Sequence, residues 1–214
     1  MNLKEGLKKF WHLLWKDDSL KGWIFSVIVL VVFFKFIFLP GLSLITGTAL
    51  PLAIVESCSM YHDGNVFNNF NGWWEQHEEK YSEFDIEKSE FENFIFQKGF
   101  GKGDILFIIK ANPKKLKVGD VILFQSGANA NPIIHRIISI EKKDEKYFFN
   151  TIGDNNNGIL VSENNIGQVD ERNISEEQLV GKAVGRIVPY IGWAKLIFYE
   201  HFRPENEKGL CNEN

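Results

Sequence analysis

The residues ESCSM at positions 56–60 stand where a long apolar run ends and a stretch of ordinary globular composition begins. If the apolar run spans a membrane, the hydroxyl of Ser59 lies just outside it. A serine is a poor nucleophile at neutral pH, so catalysis requires a base within hydrogen-bond reach and donors directed at the oxyanion. If Ser59 is a nucleophile, a base from elsewhere in the chain must therefore meet it in the fold.

The candidate base is His135, within IIHRI at 133–137, and the candidate orienting acid is Asp154, within TIGDNN at 151–156. Residues 133–140 alternate as a strand does, which predicts that His135 and its neighbour Arg136 point to opposite faces. Imidazole has an unperturbed pKa of about 6.5 and can accept a proton at physiological pH. A histidine on an apolar strand face is also typical of a packed core residue, so the strand pattern alone leaves both interpretations open.

The order of these motifs resembles that of the type I signal peptidases. It is similar to the archaeal and endoplasmic-reticulum branch, in which histidine stands where bacterial enzymes carry lysine. The shared order is an apolar segment, Ser-x-Ser-Met, Gly-Asp before an apolar strand, His-Arg-Ile, and Gly-Asp-Asn. The resemblance covers the apolar segment through Met60, residues 103–154 and residues 180 to about 198, and it does not cover residues 61–100.

This resemblance implies a membrane-anchored serine endopeptidase that removes signal peptides from exported preproteins and needs no cofactor or metal. Ser59 would attack, His135 would take and return the proton, and Asp154 would orient His135. The Ser57 hydroxyl and the Ser59 N–H would form the oxyanion hole. A second aspartate of the family would be matched here by Asp170.

Two alternatives remain from the sequence. A lysine base, as in the bacterial enzymes, could come from the four lysines between Lys110 and Lys117, although His135 holds the family position and these lysines are better interpreted as surface residues. From another class, the chain could be a membrane-anchored β-module without catalysis that binds partners through an aromatic insert. The combination of Ser59, His135 and Asp154 argues against such a module, which does not need them.

Residues 22–45 are predicted to form one transmembrane anchor, because the chain from Trp23 to Leu39 is apolar except for Ser26 and Lys35 and a spanning helix needs about 20 residues. Residues 1–21 carry five lysines against three acidic residues and have apolar residues at helical spacing. This pattern predicts a cytoplasmic amphipathic segment. We therefore expect a single-pass protein of the plasma membrane with a cytoplasmic N-terminus; a cleaved secretory signal is the rival interpretation.

The remaining chain is predicted to form a mostly β, signal-peptidase-type catalytic domain outside the membrane at 46–202, followed by a mobile tail at 203–214. Strand patterns lie at 51–56, 103–108, 118–124, 133–140, 147–151 and 180–188, and a short amphipathic helix follows at 193–202. The insert at 61–100 holds nine acidic and eleven aromatic residues. Its spacing predicts two short helices broken near Asp85, the N-cap of the second, and we expect the insert to cover a sheet edge and to be dispensable for the site.

Composition limits the partners. A net charge of −4 and a pI near 5.8 argue against nucleic acid, which needs a basic face, and leave preproteins and the lipid membrane as the expected partners. The two cysteines, Cys58 and Cys211, have no metal-ligand spacing, and we predict two free thiols, with a bridge as the alternative. His62 and His77 of the insert are not predicted to bind a metal.

Overall fold

The computed structural model describes residues 2–63, 70–126, 131–161, 169–205 and 208–212. The chain forms two compact units, Met1–Gly47 and Thr48–Asn214. The described secondary structure of the first unit is helical, and the second unit contains all the described strands. Each unit is described by itself below.

The N-terminal unit contains α1 (Leu3–Trp15) and a long apolar helix. The long helix runs from Leu20 to Thr46 as α2 (Leu20–Phe33), a π-helical turn (Phe34–Phe38) and α3 (Leu39–Thr46). The wide turn comes just before Pro40, whose ring nitrogen cannot donate a helical hydrogen bond. By length and composition this helix can cross a membrane, and it is the one such helix in the described residues.

The second unit is built on one seven-stranded antiparallel sheet with the strand order β1-β2-β7-β3-β4-β5-β6. The mostly β fold expected from the sequence is therefore confirmed. The strands are β1 (Leu52–Ile54), β2 (Ile105–Ile109), β3 (Val121–Phe124), β4 (Ile133–Lys143), β5 (Lys146–Ile152), β6 (Ile174–Ser175) and β7 (Leu179–Val188).

Both faces of the sheet are covered, as the continuous apolar runs in β2 and β3 indicate. Val121 and Leu123 of β3 pack into one cluster with Met60. The alternate residues Ile122 and Phe124 pack into a second cluster on the opposite side. Because successive side chains of a strand point to opposite faces, β3 contributes to both cores and lies at the centre of the unit.

The insert contains α4 (Phe70–Ser82) and α5 (Lys88–Phe91). Its aromatic residues Trp73 and Phe91 are buried in a third cluster together with Ile138 of β4 and Ile152 of β5. These are interior strands, so the insert packs on a face of the sheet and the expectation that it covers an edge is wrong. Burial of each large side chain contributes about 1.5–3 kcal/mol.

The break between the two insert helices differs in detail from the prediction. Asp85 has a φ of 58° and lies in the turn, in the left-handed region that aspartate tolerates better than most residues. The N-cap of α5 is Glu87. The prediction of Asp85 as N-cap is therefore wrong, because Asp85 lies in the turn between the two helices, two residues before the N-cap.

The C-terminal end is shorter in helix and better anchored than predicted. The segment 193–202 holds only α6 (Trp193–Leu196) and a 3-10 turn (Glu200–Phe202). Arg203 donates to the Glu56 carbonyl over 2.9 Å and pairs with the Glu56 carboxylate. Lys102 Nζ, almost fully buried, donates to the Gly209 carbonyl over 3.2 Å. The described part of the tail is thus fixed to the second unit, which corrects the expectation of a mobile tail.

Cys58 and Cys211 form a disulfide, so the prediction of two free thiols is wrong. Their Cα atoms lie 5.3 Å apart although 153 residues separate them in sequence. The Asn155 amide brings the two segments together, donating to the carbonyls of Cys58 and Asn212 over 3.1 and 3.0 Å. A contact of such sequence separation depends on the whole fold, which is why cysteine spacing could not predict it.

Reduction of this disulfide should lower the free energy of unfolding by about 2–4 kcal/mol, because the cross-link restricts the unfolded chain over a long loop. The measurement is denaturant unfolding of the purified protein with and without a thiol reductant. Cys211→Ser is the control, since its unfolding should match that of the reduced protein and should not respond to reductant. Equal unfolding midpoints for the oxidised and reduced protein would contradict the prediction.

Candidate active site

Ser59 and His135 meet in the fold. The loop after β1 carries Ser59, and β4 carries His135 opposite Ile122 of β3. The Ser59 Oγ lies 2.8 Å from His135 Nε2. The imidazole is 4% exposed, whereas Ser59 is half-buried. This is the geometry of a nucleophile that can be reached by a substrate, beside a base that is shielded from water.

The second nitrogen of His135, Nδ1, is hydrogen-bonded to Oε1 of Glu171. Glu171 is fully buried, and its other oxygen accepts the Leu160 N–H over 2.6 Å. The Thr151 N–H also donates to the Glu171 carbonyl over 2.9 Å, which fixes the segment against β5. A carboxylate at Nδ1 favours the tautomer whose Nε2 can accept the Ser59 proton.

The sequence reasoning missed Glu171 and selected its neighbour Asp170. In the structure Asp170 accepts hydrogen bonds from the Arg172 N–H and Nε over 3.0 and 3.3 Å. Successive side chains of an extended segment point to opposite sides, so only one residue of this pair can face His135. The sequence does show two adjacent acidic residues, Asp170 and Glu171. It does not show which of the two carboxylates points towards His135.

Asp154 is also buried, but its carboxylate is turned away from His135. Its Oδ1 accepts hydrogen bonds from Arg136 Nε over 2.9 Å and from the Tyr81 hydroxyl over 2.8 Å. Its Oδ2 accepts from Arg136 Nη2 over 2.6 Å and contacts His62 Nε2 over 2.9 Å. The expectation that Asp154 orients His135 therefore does not match the geometry, because Asp154 pairs with Arg136 on the opposite face of the strand.

The buried charges of Asp154 and Arg136 stabilise each other. Burial acts to raise the pKa of Asp154, but the charge of Arg136 and the hydrogen bonds from His62 and Arg136 outweigh it and hold that pKa well below its usual range. Burial lowers the pKa of His62, so its imidazole is neutral at neutral pH. Ionised Asp154 therefore stabilises the fold fully at pH values above the ordinary aspartate pKa. This stabilisation is lost as the pH falls towards the lowered pKa of Asp154 in the folded protein.

Asp154→Asn should lower the free energy of unfolding by about 3–5 kcal/mol, because it leaves the Arg136 guanidinium buried without a counter-charge. Asp170→Asn is the matched control; its pair with Arg172 is partly exposed, so its loss should cost at most about 1 kcal/mol. Urea unfolding of both variants makes the comparison. Similar midpoints for the two would contradict a structural role for Asp154.

Donors for an oxyanion lie on the nucleophile's own loop. The Ser57 Oγ is 3.1 Å from the Ser59 Oγ and is exposed. Within the described parts of the chain, the Ser59 N–H has no hydrogen-bond acceptor. Both groups can therefore donate to an oxygen that develops negative charge beside Ser59.

A cleft of about 640 Å³ opens at Ser59 and His135. Its walls are mainly apolar and come from β1, β3, β4 and their flanking loops; they include Leu52, Ile54, Leu123, Ile133, Ile134 and Leu160. In the described sheet β1 is an outer strand, with β2 as its neighbour. An extended peptide can therefore lie in the cleft and pair with the β1 main chain.

The other sequence candidates do not contribute to this site. Lys110, Lys114, Lys115 and Lys117 are exposed, and the nitrogen that contacts Ser59 belongs to His135. Among the described residues there is no group of three or more histidine, cysteine, aspartate or glutamate side chains that could hold a metal ion. The chemistry that the arrangement supports is nucleophilic attack by serine.

No family model matches the chain, but curated relatives do. It is 30% identical over 103 residues to the signal peptidase complex catalytic subunit sec11 of Dictyostelium discoideum, covering 48% of this chain and 55% of the relative. SEC11C of Homo sapiens is 28% identical over 103 residues, 48% of this chain and 52% of the relative. SEC11 of Plasmodium falciparum is 34% identical over 95 residues, which cover 44% of this chain and 48% of the relative.

The chain spans about half the length of the curated relatives it matches. All three relatives named above are signal peptidase catalytic subunits, and the fold seen here is a mostly β domain with an apolar N-terminal helix. The resemblance of this chain to the type I signal peptidases of the eukaryotic and archaeal branch is thereby confirmed.

Proposed function

We propose that this chain is a membrane-anchored serine endopeptidase that removes signal peptides from preproteins. The observation that carries the proposal is the 2.8 Å contact between Ser59 Oγ and His135 Nε2, with the buried Glu171 on the other side of the imidazole. The similarity to signal peptidase catalytic subunits supplies the class of substrate.

In the proposed mechanism Ser59 Oγ attacks the scissile carbonyl while His135 Nε2 takes its proton. Glu171 orients the imidazole and stabilises the imidazolium that forms. The Ser57 hydroxyl and the Ser59 N–H donate to the oxyanion. His135 then gives the proton to the leaving amine, and water hydrolyses the acyl-enzyme with the same base.

The apolar helix Leu20–Thr46 supports membrane anchoring in this proposal. The Cys58–Cys211 disulfide supports a second unit outside the cytosol, since disulfides persist in oxidising compartments. A single-pass orientation with a cytoplasmic N-terminus agrees with the lysines of residues 1–21. The plasma membrane as its location is our expectation from the sequence.

A non-catalytic β-module that binds partners through the aromatic insert is not favoured. Trp73, Trp74, Tyr81 and Phe91 are all at most 2% exposed. Aromatic side chains that pack inward in this way offer no binding platform, whereas the Ser59 hydroxyl opens to a cleft.

The test is incubation of the purified full-length protein, in detergent, with a precursor that bears a signal peptide. We expect one new N-terminus, located by mass spectrometry just after the signal. The control substrate is the same precursor with a bulky charged residue placed at that cleavage site, which should stay intact. Absence of any product from the intact precursor would overturn the proposal.

Glu171→Gln should lower kcat by at least about 10-fold with little change in KM, because a neutral amide no longer stabilises the imidazolium. Asp170→Asn, the adjacent acid on the other side of the segment, should keep nearly full activity. The measurement is kcat and KM of precursor cleavage for Glu171→Gln and Asp170→Asn. A large loss of kcat in Asp170→Asn with none in Glu171→Gln would contradict the orienting role of Glu171 and assign it to the neighbouring aspartate.

A further inference from the structure

The main chain at Ser59 is held by the turn that follows β5. The Asn155 N–H donates to the Ser59 carbonyl over 2.8 Å, and the Asn155 side-chain amide donates to the Cys58 carbonyl. Gly153 packs so closely that a Cβ added there would lie 2.9 Å from the Ser59 carbonyl oxygen. The position of the nucleophile therefore depends on the position of residues 153–156.

Helix α4 of the insert holds this turn through two consecutive residues. Lys80 Nζ donates to the Asp154 carbonyl over 2.5 Å and to the Asn156 carbonyl over 3.0 Å. The Tyr81 hydroxyl donates to Asp154 Oδ1 over 2.8 Å, and the Tyr81 side chain is fully buried. Lys80 thus binds the main chain of the turn, and Tyr81 binds its carboxylate.

The same helix supports the other oxygen of Asp154 indirectly. His62 contacts Asp154 Oδ2 over 2.9 Å, and its ring stacks on Trp73 of α4 with 3.6 Å between ring centroids. The Arg136 guanidinium lies 4.7 Å from the centre of the Phe91 ring on α5. In a buried environment of low dielectric such polar contacts are strong, so the insert fixes the turn firmly.

We propose that Lys80 and Tyr81 are positioning residues for the nucleophile. Through Asp154 and Asn155 they hold the Ser59 main chain where the hydroxyl meets both His135 and the substrate. The inference rests on the proposed endopeptidase function. A misplacement of about 1 Å can lower a rate about 100-fold, so small movements of the turn are sufficient. Helix α4 of the insert then contributes two positioning residues to the site, in contrast to the dispensable cover expected from the sequence.

The test compares Lys80→Met and Tyr81→Phe with matched variants outside the network. Lys80→Met keeps the length of the side chain and removes the donors, whereas Lys80→Arg keeps donors for both carbonyls. Lys88→Met on α5 and Tyr147→Phe on β5 make the same chemical changes elsewhere on the second unit. The melting temperature of every variant is measured first, and kinetics are run where all of them are folded.

We expect kcat for precursor cleavage to fall about 10- to 100-fold in Lys80→Met and in Tyr81→Phe, with KM changed by less than about twofold, because neither side chain lines the peptide-binding cleft. Lys80→Arg should restore most of kcat. A residue that only stabilises the fold would lower the melting temperature and leave kcat of the folded protein unchanged. Values of kcat equal to those of Lys88→Met and Tyr147→Phe would overturn the proposal.

Amide hydrogen exchange at Asn155 gives a readout that does not depend on cleavage. Its N–H bonds the Ser59 carbonyl, so Lys80→Met and Tyr81→Phe should accelerate its exchange by about 10-fold or more, while amides of β7 keep their rates. If the unaltered protein cleaves no precursor, the proposed function fails and the exchange rates alone decide the positioning role. Unchanged exchange at Asn155 in both variants would overturn it.

Discussion

Ser59→Ala is expected to lower precursor cleavage by roughly 10⁴- to 10⁶-fold, the loss typical of removing the nucleophile from a serine–histidine pair. Among the described residues, the hydroxyl that contacts His135 Nε2 belongs to Ser59, and the neighbouring Ser57 Oγ contacts Ser59 Oγ at 3.1 Å. Ser59 is only half-buried, so the fold and the membrane association should be retained.

The measurement is the initial rate of cleavage at saturating precursor, with circular dichroism of the same samples to verify folding. Ser89→Ala, an exposed serine on α5, is the matched control and should cleave at the unaltered rate. If Ser59→Ala cleaved at a rate similar to that of Ser89→Ala, Ser59 would not be the nucleophile.

His135→Ala is expected to lower the rate by about 10²- to 10⁴-fold, the contribution of a positioned general base. The substitution also leaves the Glu171 carboxylate buried without the imidazole, so a loss of folding has to be separated from a loss of chemistry. His135→Asn serves this purpose, since its amide can still donate towards Glu171 but offers no basic nitrogen to Ser59.

Both His135 variants should show a loss of this size, and His201→Ala, an exposed histidine, should be fully active. Rates are measured as for Ser59→Ala, on folded protein. An active His135→Asn combined with an inactive variant of Lys110, Lys114, Lys115 or Lys117 would assign the base to a lysine.

The sequence patterns predicted six of the seven strands, all except β6, and selected the serine and the histidine that meet in the fold. Strand alternation and the order of motifs predicted that β4 carries His135 inward and that Ser59 follows the first strand. Strand alternation is a local pattern, and the order of motifs comes from the family resemblance. The contact between Ser59 and His135 depends in addition on how the strands pair in the sheet.

The acid of the site could not be predicted in the same way. Arg136 follows His135 and points to the opposite face of β4. Its guanidinium binds the carboxylate of Asp154, which therefore does not reach His135. Glu171 reaches His135 only because its segment packs along β5, where Thr151 donates to its carbonyl. A choice between acids that depends on such tertiary packing is not contained in local patterns.

The insert shows the same limit. Its aromatic spacing predicted helices and burial, but the hydrogen bonds from Lys80 and Tyr81 to the turn at Asp154 join residues more than 70 positions apart. The disulfide between Cys58 and Cys211 spans even more of the chain. Contacts of this range are set by the completed fold. The structure therefore corrects the expectation of free thiols, whereas the dispensability of the insert stays a prediction that the Lys80 and Tyr81 variants test.

In the proposed mechanism Glu171 acts on Ser59 through His135. This coupling is measured by a double-mutant cycle of precursor cleavage with the unaltered protein, Glu171→Gln, His135→Asn and the combined variant. If Glu171 works only by orienting the imidazole, the combined variant should cleave as slowly as His135→Asn alone, within about threefold. If the two single losses multiplied in the combined variant, Glu171 and His135 would act independently and the account would be contradicted.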